Sequence, residues 1–480
     1  MHMARRAVVG PTRFLVPVLA SCGLVAAFMQ TLILPLIPNL PALLHTSPAN
    51  ASWVITVTLV AAAVITPVSG RLADMYGKRL VVLASLGALV VGSVISALGG
   101  SLVPVVVGRG LQGCSMGVIP VGISMMRDLL PRDRVATAMA VMSATLGVGG
   151  ALGLPISALL AQVASWHVLF WVSAGLGATC LAVVWALVPE SPVRAPAPFD
   201  LLGTIGLTAG LVCLLLAVVN GNSWGWASPL TLGLFAAAPV LLVGWGLLQL
   251  RRRHPLVDLR VTARRPVLFT NLASVLVGFS LFVTALVMPQ LLQAPRGTGY
   301  GLGLSLFQAG LCMAPNGLVM MLLSPLSARL IRGRGPRLTL LLGSLVIAVG
   351  YAASIGLVNN VFQIVLAAVV VASGLGIAYS AMPALIMTAV PLHETASANG
   401  VNALMRSLGT ATSSAAMATL LTQFTIAYGP AVLPSLAGFR VAYAIAAVAA
   451  VAAAGLTALV PRTSPAVGTA TDPVAPPKAA

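Results

Sequence analysis

WVITVTLVAAAVITPVSGRLADMYGKR, Trp53 to Arg79, is an apolar run that ends abruptly in a short segment carrying Arg71, Asp74, Lys78 and Arg79, after which a second apolar run begins. A helix needs about 20 apolar residues to cross a bilayer core, so this stretch reads as one membrane crossing, a tight charged turn and the start of the next. The same alternation continues along the chain. Spans are expected near 14–37, 53–70, 80–98, 102–126, 135–162, 166–187, 200–219, 229–250, 267–292, 304–326, 338–357, 361–388, 397–424 and 439–460. The spans must be helical, because a membrane-spanning barrel would show segments of about ten residues with strict alternation. Composition agrees: 59% of the 480 residues are hydrophobic and 7% charged, with a mean hydropathy of +1.03, too little polar surface to cover a water-soluble globule.

The net charge of +18 would suggest nucleic acid in a soluble protein. Placed on the fourteen spans, it becomes a topology signal instead. With the amino end cytoplasmic, 22 of the 26 basic residues fall in inside segments: Arg5, Arg6, Arg13; Arg71, Lys78, Arg79; Arg127, Arg132, Arg134; Arg194; Arg251 to Arg265; Arg329 to Arg337; Arg462 and Lys478. Arg296 and Arg440 fall outside, and Arg109 and Arg406 lie within spans, the asymmetry that the positive-inside rule demands. The expectation is a multi-pass protein of a bacterial cytoplasmic (inner) membrane, with both termini cytoplasmic, the lipid bilayer as its partner and no nucleic acid.

Cys22, Cys114, Cys180, Cys213 and Cys312 all sit inside apolar runs, without the spacing of a zinc site or a disulfide framework. Leu19 to Cys22 looks like a lipoprotein cleavage box, but the apolar run continues past it. The stretch 463–480, rich in Pro, Ala and Thr, reads as a disordered cytoplasmic tail.

Gly70 to Arg79 has an echo in SARLIRGRGPR, Ser327 to Arg337, and each follows the second helix of a half. The chain therefore divides into a six-helix half over 1–190, two inserted helices with their linkers over 191–265, and a second six-helix half over 266–462. Such pseudo-symmetric halves can open a shared site to either side by rocking.

The loop Gly70, Arg71, Leu72, Ala73, Asp74, Gly77, Lys78, Arg79, the fourth-span set Arg109, Gln112, Gly113, Gly117, and the segments SWHVLFWVSAG (Ser165 to Gly175) and NSWGWASP (Asn222 to Pro229) carry a resemblance to a known family. The chain resembles the major facilitator superfamily and, within it, the fourteen-span drug:proton antiporters. The resemblance implies an all-α integral-membrane fold and secondary active export of small hydrophobic compounds such as drugs, antibiotics or related metabolites. It also implies alternating access, exchange for protons, no cofactor beyond the proton gradient, and a monomer. The fifth-span antiporter motif departs from the family pattern: Gly147, Gly149, Gly153 and Pro155 are present, but Leu154 precedes the proline and Ser157 and Ala158 replace paired glycines. The first span carries no acid, which leaves the proton carrier unassigned.

The candidate site residues follow from these patterns. Gly70, Arg71, Asp74, Gly77, Lys78 and Arg79 form the expected gating loop, Asp74 pairing with its basic neighbours or merely solvated. Arg109, with Gln112 and Met116 on the same helical face, is expected in a polar cavity, or else snorkelling to the outer surface. Asp128 reads as a coupling acid or a surface charge at a helix end, and Arg406 as the partner of an anionic group or of helix carbonyls. Gln30, Gln290, Gln293, Asn316, Tyr379 and Asn402 are mid-span residues suited to a substrate pocket, and Met29, Met320 and Met382 suit a pliable one. Gly149, Gly153 and Pro155 are the expected hinge. With few cavity acids, strongly cationic dyes are disfavoured as substrates, and neutral or anionic compounds are tolerated.

Other functions fare worse. His2, His45, His167, His254 and His393 are scattered over both sides with no intramembrane acid to join them, which argues against a membrane enzyme, and no GxxxxGK[ST] loop is present. A receptor would not need the duplicated loop. A narrow-substrate exporter or an importer remains the alternative within transport.

Overall fold

The computed structural model describes residues 14–33, 36, 39–429 and 431–461, with residues 48, 49, 161–163 and 431 described by backbone only. The expected tail over 463–480, both chain ends, Arg5, Arg6, Arg13, Arg462, Lys478 and Asp472 lie outside these residues.

The long helices are α1 (Leu15–Thr31), α2 (Trp53–Tyr76), α3 (Lys78–Leu98), α4 (Leu102–Leu129), α5 (Arg132–Val163), α6 (His167–Leu187), α7 (Leu201–Trp224) and α8 (Pro229–Arg251). They are followed by α9 (Arg265–Gln293), α10 (Leu306–Leu322), α11 (Ser324–Gly356), α12 (Val361–Ala389), α13 (Thr395–Gln423) and α14 (Leu436–Ala458). Among the described residues, eleven helices are long and apolar enough to cross a membrane, the stretch Leu306–Gly356 counting as one. Helix α1 is apolar but has only 17 residues. Helix α13 is not among the eleven; Ser397, Asn399, Asn402, Arg406, Ser407 and Thr410 dilute its apolar character.

The helix ends explain the loops. Helix α2 runs past the expected boundary at 70 and stops only at Gly77, whose φ of 123° is a conformation that L side chains rarely adopt. Gly335, φ 82°, makes the matching corner inside α11. The two loops that echo each other in sequence thus turn at equivalent glycines. In α4 a 3₁₀ turn over Cys114–Gly117 precedes Pro120, which has no N–H to bond the carbonyl of Met116, so the helix tightens there.

Burial falls into two cores and a seam. One core joins α1, α3, α4 and α6 around Leu86, Phe170 and Met126. The other joins α9, α11, α12 and α14 around Tyr351, Leu375 and Phe439. The seam cluster takes Ala63 and Val68 from α2, Leu207, Leu211 and Leu215 from α7, Leu256 and Val257 from the 252–264 connector, and Val401 and Leu404 from α13. Helix α7 therefore packs against α2 and α13 at the junction, and α8 packs on α7.

The halves meet most extensively at two crossings, α2 with α13 and α5 with α10. At the first, a Cβ on Gly70 would lie 2.3 Å from the Ala396 carbonyl oxygen and one on Gly400 2.5 Å from that of Thr66. Away from the basic loops, a short hairpin not expected from the sequence pairs Thr425–Tyr428 with Ala431–Pro434. Tyr300 from the 294–305 loop donates to the Pro434 carbonyl; burial pushes the Tyr300 hydroxyl pKa up, and its hydrogen bond with Thr298 opposes that shift.

Because no side chain fits between the backbones at the α2–α13 crossing, Gly400→Val should force the helices apart. The expected result is a loss of about 1–3 kcal/mol, read as a lower Tm of the detergent-solubilised protein; an unchanged Tm would mean the crossing is loose.

Candidate functional site

The basic side of the α2–α13 crossing is held by charge. Asp74, in the last turn of α2 and fully buried, accepts hydrogen bonds from the backbone N–H groups of Ala396 (3.2 Å, Oδ1) and Ser397 (2.8 Å, Oδ2) in the first turn of α13. A carboxylate at that position satisfies two otherwise orphaned donors and faces the positive end of the helix dipole. Sequence reasoning paired Asp74 across its own loop; the structure sends it to the opposite half as well. Lys78 Nζ lies 3.8 Å from Asp74 Oδ1 and makes a direct ion pair with Asp128 Oδ2, all three side chains being fully buried. Ser191 Oγ donates to the same Asp128 oxygen at 2.5 Å. Asp128 is therefore neither a surface charge nor a cavity residue.

The rest of the gating loop supports this cluster. Glu190 Oε1 accepts from the Arg79 and Ser191 backbone N–H groups at 3.1 and 2.9 Å, and the Ala195 N–H donates to the Asp74 carbonyl at 2.7 Å. The linker after α6 is thereby pinned to the α2–α3 turn. Arg71 is half-buried at a crevice of about 260 Å³ on the basic face, shared with the 252–264 connector and the start of α13. Ser124 of α4 and Thr395 of α13 hydrogen-bond at 2.6 Å. In the echoing loop Arg332 stands three residues before the corner glycine, as Asp74 does, and its Nη1 donates to Thr137 Oγ1 (3.0 Å) and the Asp133 carbonyl (3.4 Å) in the first turns of α5. Each half thus reaches across to a helix of the other.

Between the halves lies a cavity of about 110 Å³ lined by Gln30, Met116 and Pro120 from the first half, Leu215 from the inserted pair, and Tyr379 and Arg406 from the second. Arg109 and Gln112 do not reach it, which corrects the expected placement. Arg109, 1% exposed, donates to the carbonyls of Met29 (3.0 Å) and Val54 (3.4 Å) and to Gln112 Oε1 (2.8 Å), and Gln112 in turn donates to Ser93 Oγ (2.8 Å). It ties α1, α2, α3 and α4 together and does not snorkel outward. Gln290, Gln293 and Asn316 also stand away from this cavity: Gln293 donates to the Pro289 carbonyl, and Asn316 faces Met288 Sδ at 3.7 Å. Asn402 lies just behind Arg406, accepting from its Nη1 at 2.5 Å and donating to Asn271 Oδ1 (3.0 Å) and Ser274 Oγ (2.8 Å).

The hinge candidates divide. Gly149 and Gly153 pack against Ala27 and Thr31 of α1, whereas Pro155 meets Gly310 of α10 across the second crossing. Sequence reasoning missed Ser93, Ser124, Asn271, Ser274 and Thr395. Asn271 and Ser274, polar within a span, carried the same signal that singled out Asn402. Among the described residues no three His, Cys, Asp or Glu side chains gather into a metal site.

This is a multi-pass membrane protein with a cavity between two helical halves, joined on its basic side by crossed helix-end contacts. Residues 19–414 match the model for the Major Facilitator Superfamily, and the chain belongs to that family. It is 28% identical over 307 residues to the tetracenomycin C resistance and export protein of Streptomyces glaucescens, a match covering 64% of this chain and 56% of that protein. It is 26% identical over 386 residues to a multidrug resistance protein B homolog of Mycobacterium tuberculosis, covering 78% of this chain and 69% of that one. The match thus spans little more than half the length of the first of these relatives. The fold is similar to the crystal structure of the human organic anion transporter MFSD10 (TETRAN), with a TM-score of 0.68 and 17% identity over 93% of this chain and 99% of that one.

Removing one partner of a buried ion pair strands the other charge. Lys78→Met should therefore destabilise the protein by about 3–5 kcal/mol, and adding Asp128→Leu should recover much of that loss. Thermal unfolding of the three proteins checks this; a double variant no better than Lys78→Met would show that the pair is not coupled.

Proposed function

We propose that this protein exports small hydrophobic compounds across a bacterial cytoplasmic membrane in exchange for protons, by alternating access between its two halves. The observation that carries the reading is the cavity shared by both halves, with the Asp74 contact to α13 closing its basic side. Relatives named for antibiotic export and multidrug resistance support it.

The same reading gives fourteen spans. Gly335 splits Leu306–Gly356 into two crossings, and α1 and α13 add the remaining two, α13 keeping its polar residues against protein. With the basic loops cytoplasmic, both termini lie inside. The halves are 1–190 and 266–462, with 191–265 as the inserted pair. The protein works as a monomer with no cofactor, drawing on the proton gradient.

Proton exchange acts at the gate. A protonated Asp74 loses the charge that favours the α13 N-terminus, which frees α2 from α13 and opens the cavity to the cytoplasm. Deprotonation closes it again. An importer of the same superfamily would use the same parts in the opposite direction.

In a pump-deficient bacterial host with matched expression, the intact protein should lower accumulation of at least some compounds in a broad neutral, anionic and cationic panel. A protonophore should abolish this, and Asp74→Asn should cut energised efflux at least tenfold. Rising accumulation would instead establish import.

A further inference from the structure

Among the described residues three basic side chains are buried in or beside the membrane-spanning helices, and each is compensated differently. Lys78 has two carboxylates. Arg109 has three oxygen acceptors and does not line the central cavity. Among the described residues no carboxylate pairs with Arg406; its guanidinium makes one hydrogen bond, to Asn402, and lies over the face of the Tyr379 ring, 5.3 Å from the ring centre. The charge is permanent, because a guanidinium does not lose its proton in a protein. Arg406 is also the one charged group lining the central cavity, where the other lining groups are apolar or neutral. Every described acid, Asp74, Asp128, Asp133, Glu190, Asp200, Asp258 and Glu394, lies at or near a basic-side helix end or loop.

An uncompensated cation in a membrane interior is costly and marks a site that receives its counter-charge from elsewhere. We infer that the cargo of the central cavity is an amphipathic organic anion, its acidic group held by Arg406 and its apolar body by Met116, Ile119, Leu146, Leu215 and Leu281. The inference rests on the exporter reading and names its substrate class. Asn402, backed by Asn271 and Ser274, fixes the guanidinium in place. Tyr379 covers one side of it with an attractive ring face, leaving donors for a carboxylate, sulfonate or phenolate. At about 110 Å³ the cavity is smaller than a drug-sized pocket, so the halves must part to admit such a molecule.

The charge also has an energetic consequence. An anion leaving an inside-negative cell carries charge in the same electrical sense as a proton entering it. The membrane potential alone then favours export by about fiftyfold in concentration ratio per charge at 100 mV, and the cavity needs no acid of its own.

The test uses the full chain in proteoliposomes with a potassium and valinomycin potential. The probes are 8-anilinonaphthalene-1-sulfonate, ethidium and a neutral naphthalene amide of similar size. Transport of the sulfonate that rises with the potential at zero pH gradient, falls at least tenfold in Arg406→Gln and is partly kept in Arg406→Lys is the expected result. Thermal stabilisation of the intact protein by the sulfonate and not by ethidium is expected too, and does not depend on how the variants fold. Preference for ethidium or the amide, or sulfonate transport unchanged in Arg406→Gln, would overturn the anion inference while leaving export standing. If no probe moves or stabilises the protein, both readings fall.

Discussion

A carboxylate placed against the first turn of a helix from the other half of the molecule is the contact on which this structure turns. Asp74 ends α2, Ala396 and Ser397 begin α13, and two hydrogen bonds join them in a place closed to water. The approach is close enough that Gly70 and Gly400 must lack side chains. It also leaves a buried negative charge, which Lys78 neutralises while pairing with Asp128, and Asp128 in turn holds Ser191 of the linker after α6. One capped helix end therefore accounts for the tight turn at Gly77, the basic residue that follows it and the course of the linker. The echoing loop answers with Arg332 of α11, which donates to the first turns of α5, a contact made with opposite charge to a helix of the opposite half.

The same economy governs the other buried charges. A membrane protein can keep a cation in its interior only by surrounding it with oxygen atoms, carboxylates or a π face, or by reserving it for a ligand. Arg109 follows the first course: its Nε and Nη1 donate to oxygen acceptors on α1, α2 and α4, and Gln112 carries the chain on to Ser93 of α3, which makes it a brace between these helices. Arg406 follows the last, anchored from behind and open in front. The inserted helices join the arrangement through Leu215, which lines the cavity, and through Leu207, Leu211, Leu256 and Val257 in the seam, so opening on the basic side must disturb them as well.

Much of this was legible in the sequence. Apolar runs of spanning length, punctuated by basic turns, give the all-helical membrane fold, because a bilayer forbids the alternatives. The loop Gly70 to Arg79 and its echo mark the family. What the sequence could not convey is who faces whom across the halves. Asp74 and Lys78 are four residues apart and pair as expected, but the Ala396 and Ser397 amides lie 322 and 323 positions from Asp74, and local spacing carries no trace of that. Arg109 and Arg406 look alike as buried cations in polar-flecked spans; only the positions of backbone carbonyls, which no sequence displays, separate the brace from the open site. For Gln290, Gln293 and Asn316 the sequence shows only depth in a span, and depth does not fix the direction a helix face points.

The central claim, that Asp74 holds the basic side shut by its charge on α13, is tested most directly by a distance across the gate. Spin labels at Tyr76→Cys and Leu392→Cys, both exposed positions at the two helix ends, placed in a background lacking the five native cysteines, report it by double electron–electron resonance. The account predicts one short, narrow distance with Asp74 intact and a longer or broader distribution with Asp74→Asn. An unchanged distribution in a folded Asp74→Asn protein would contradict it.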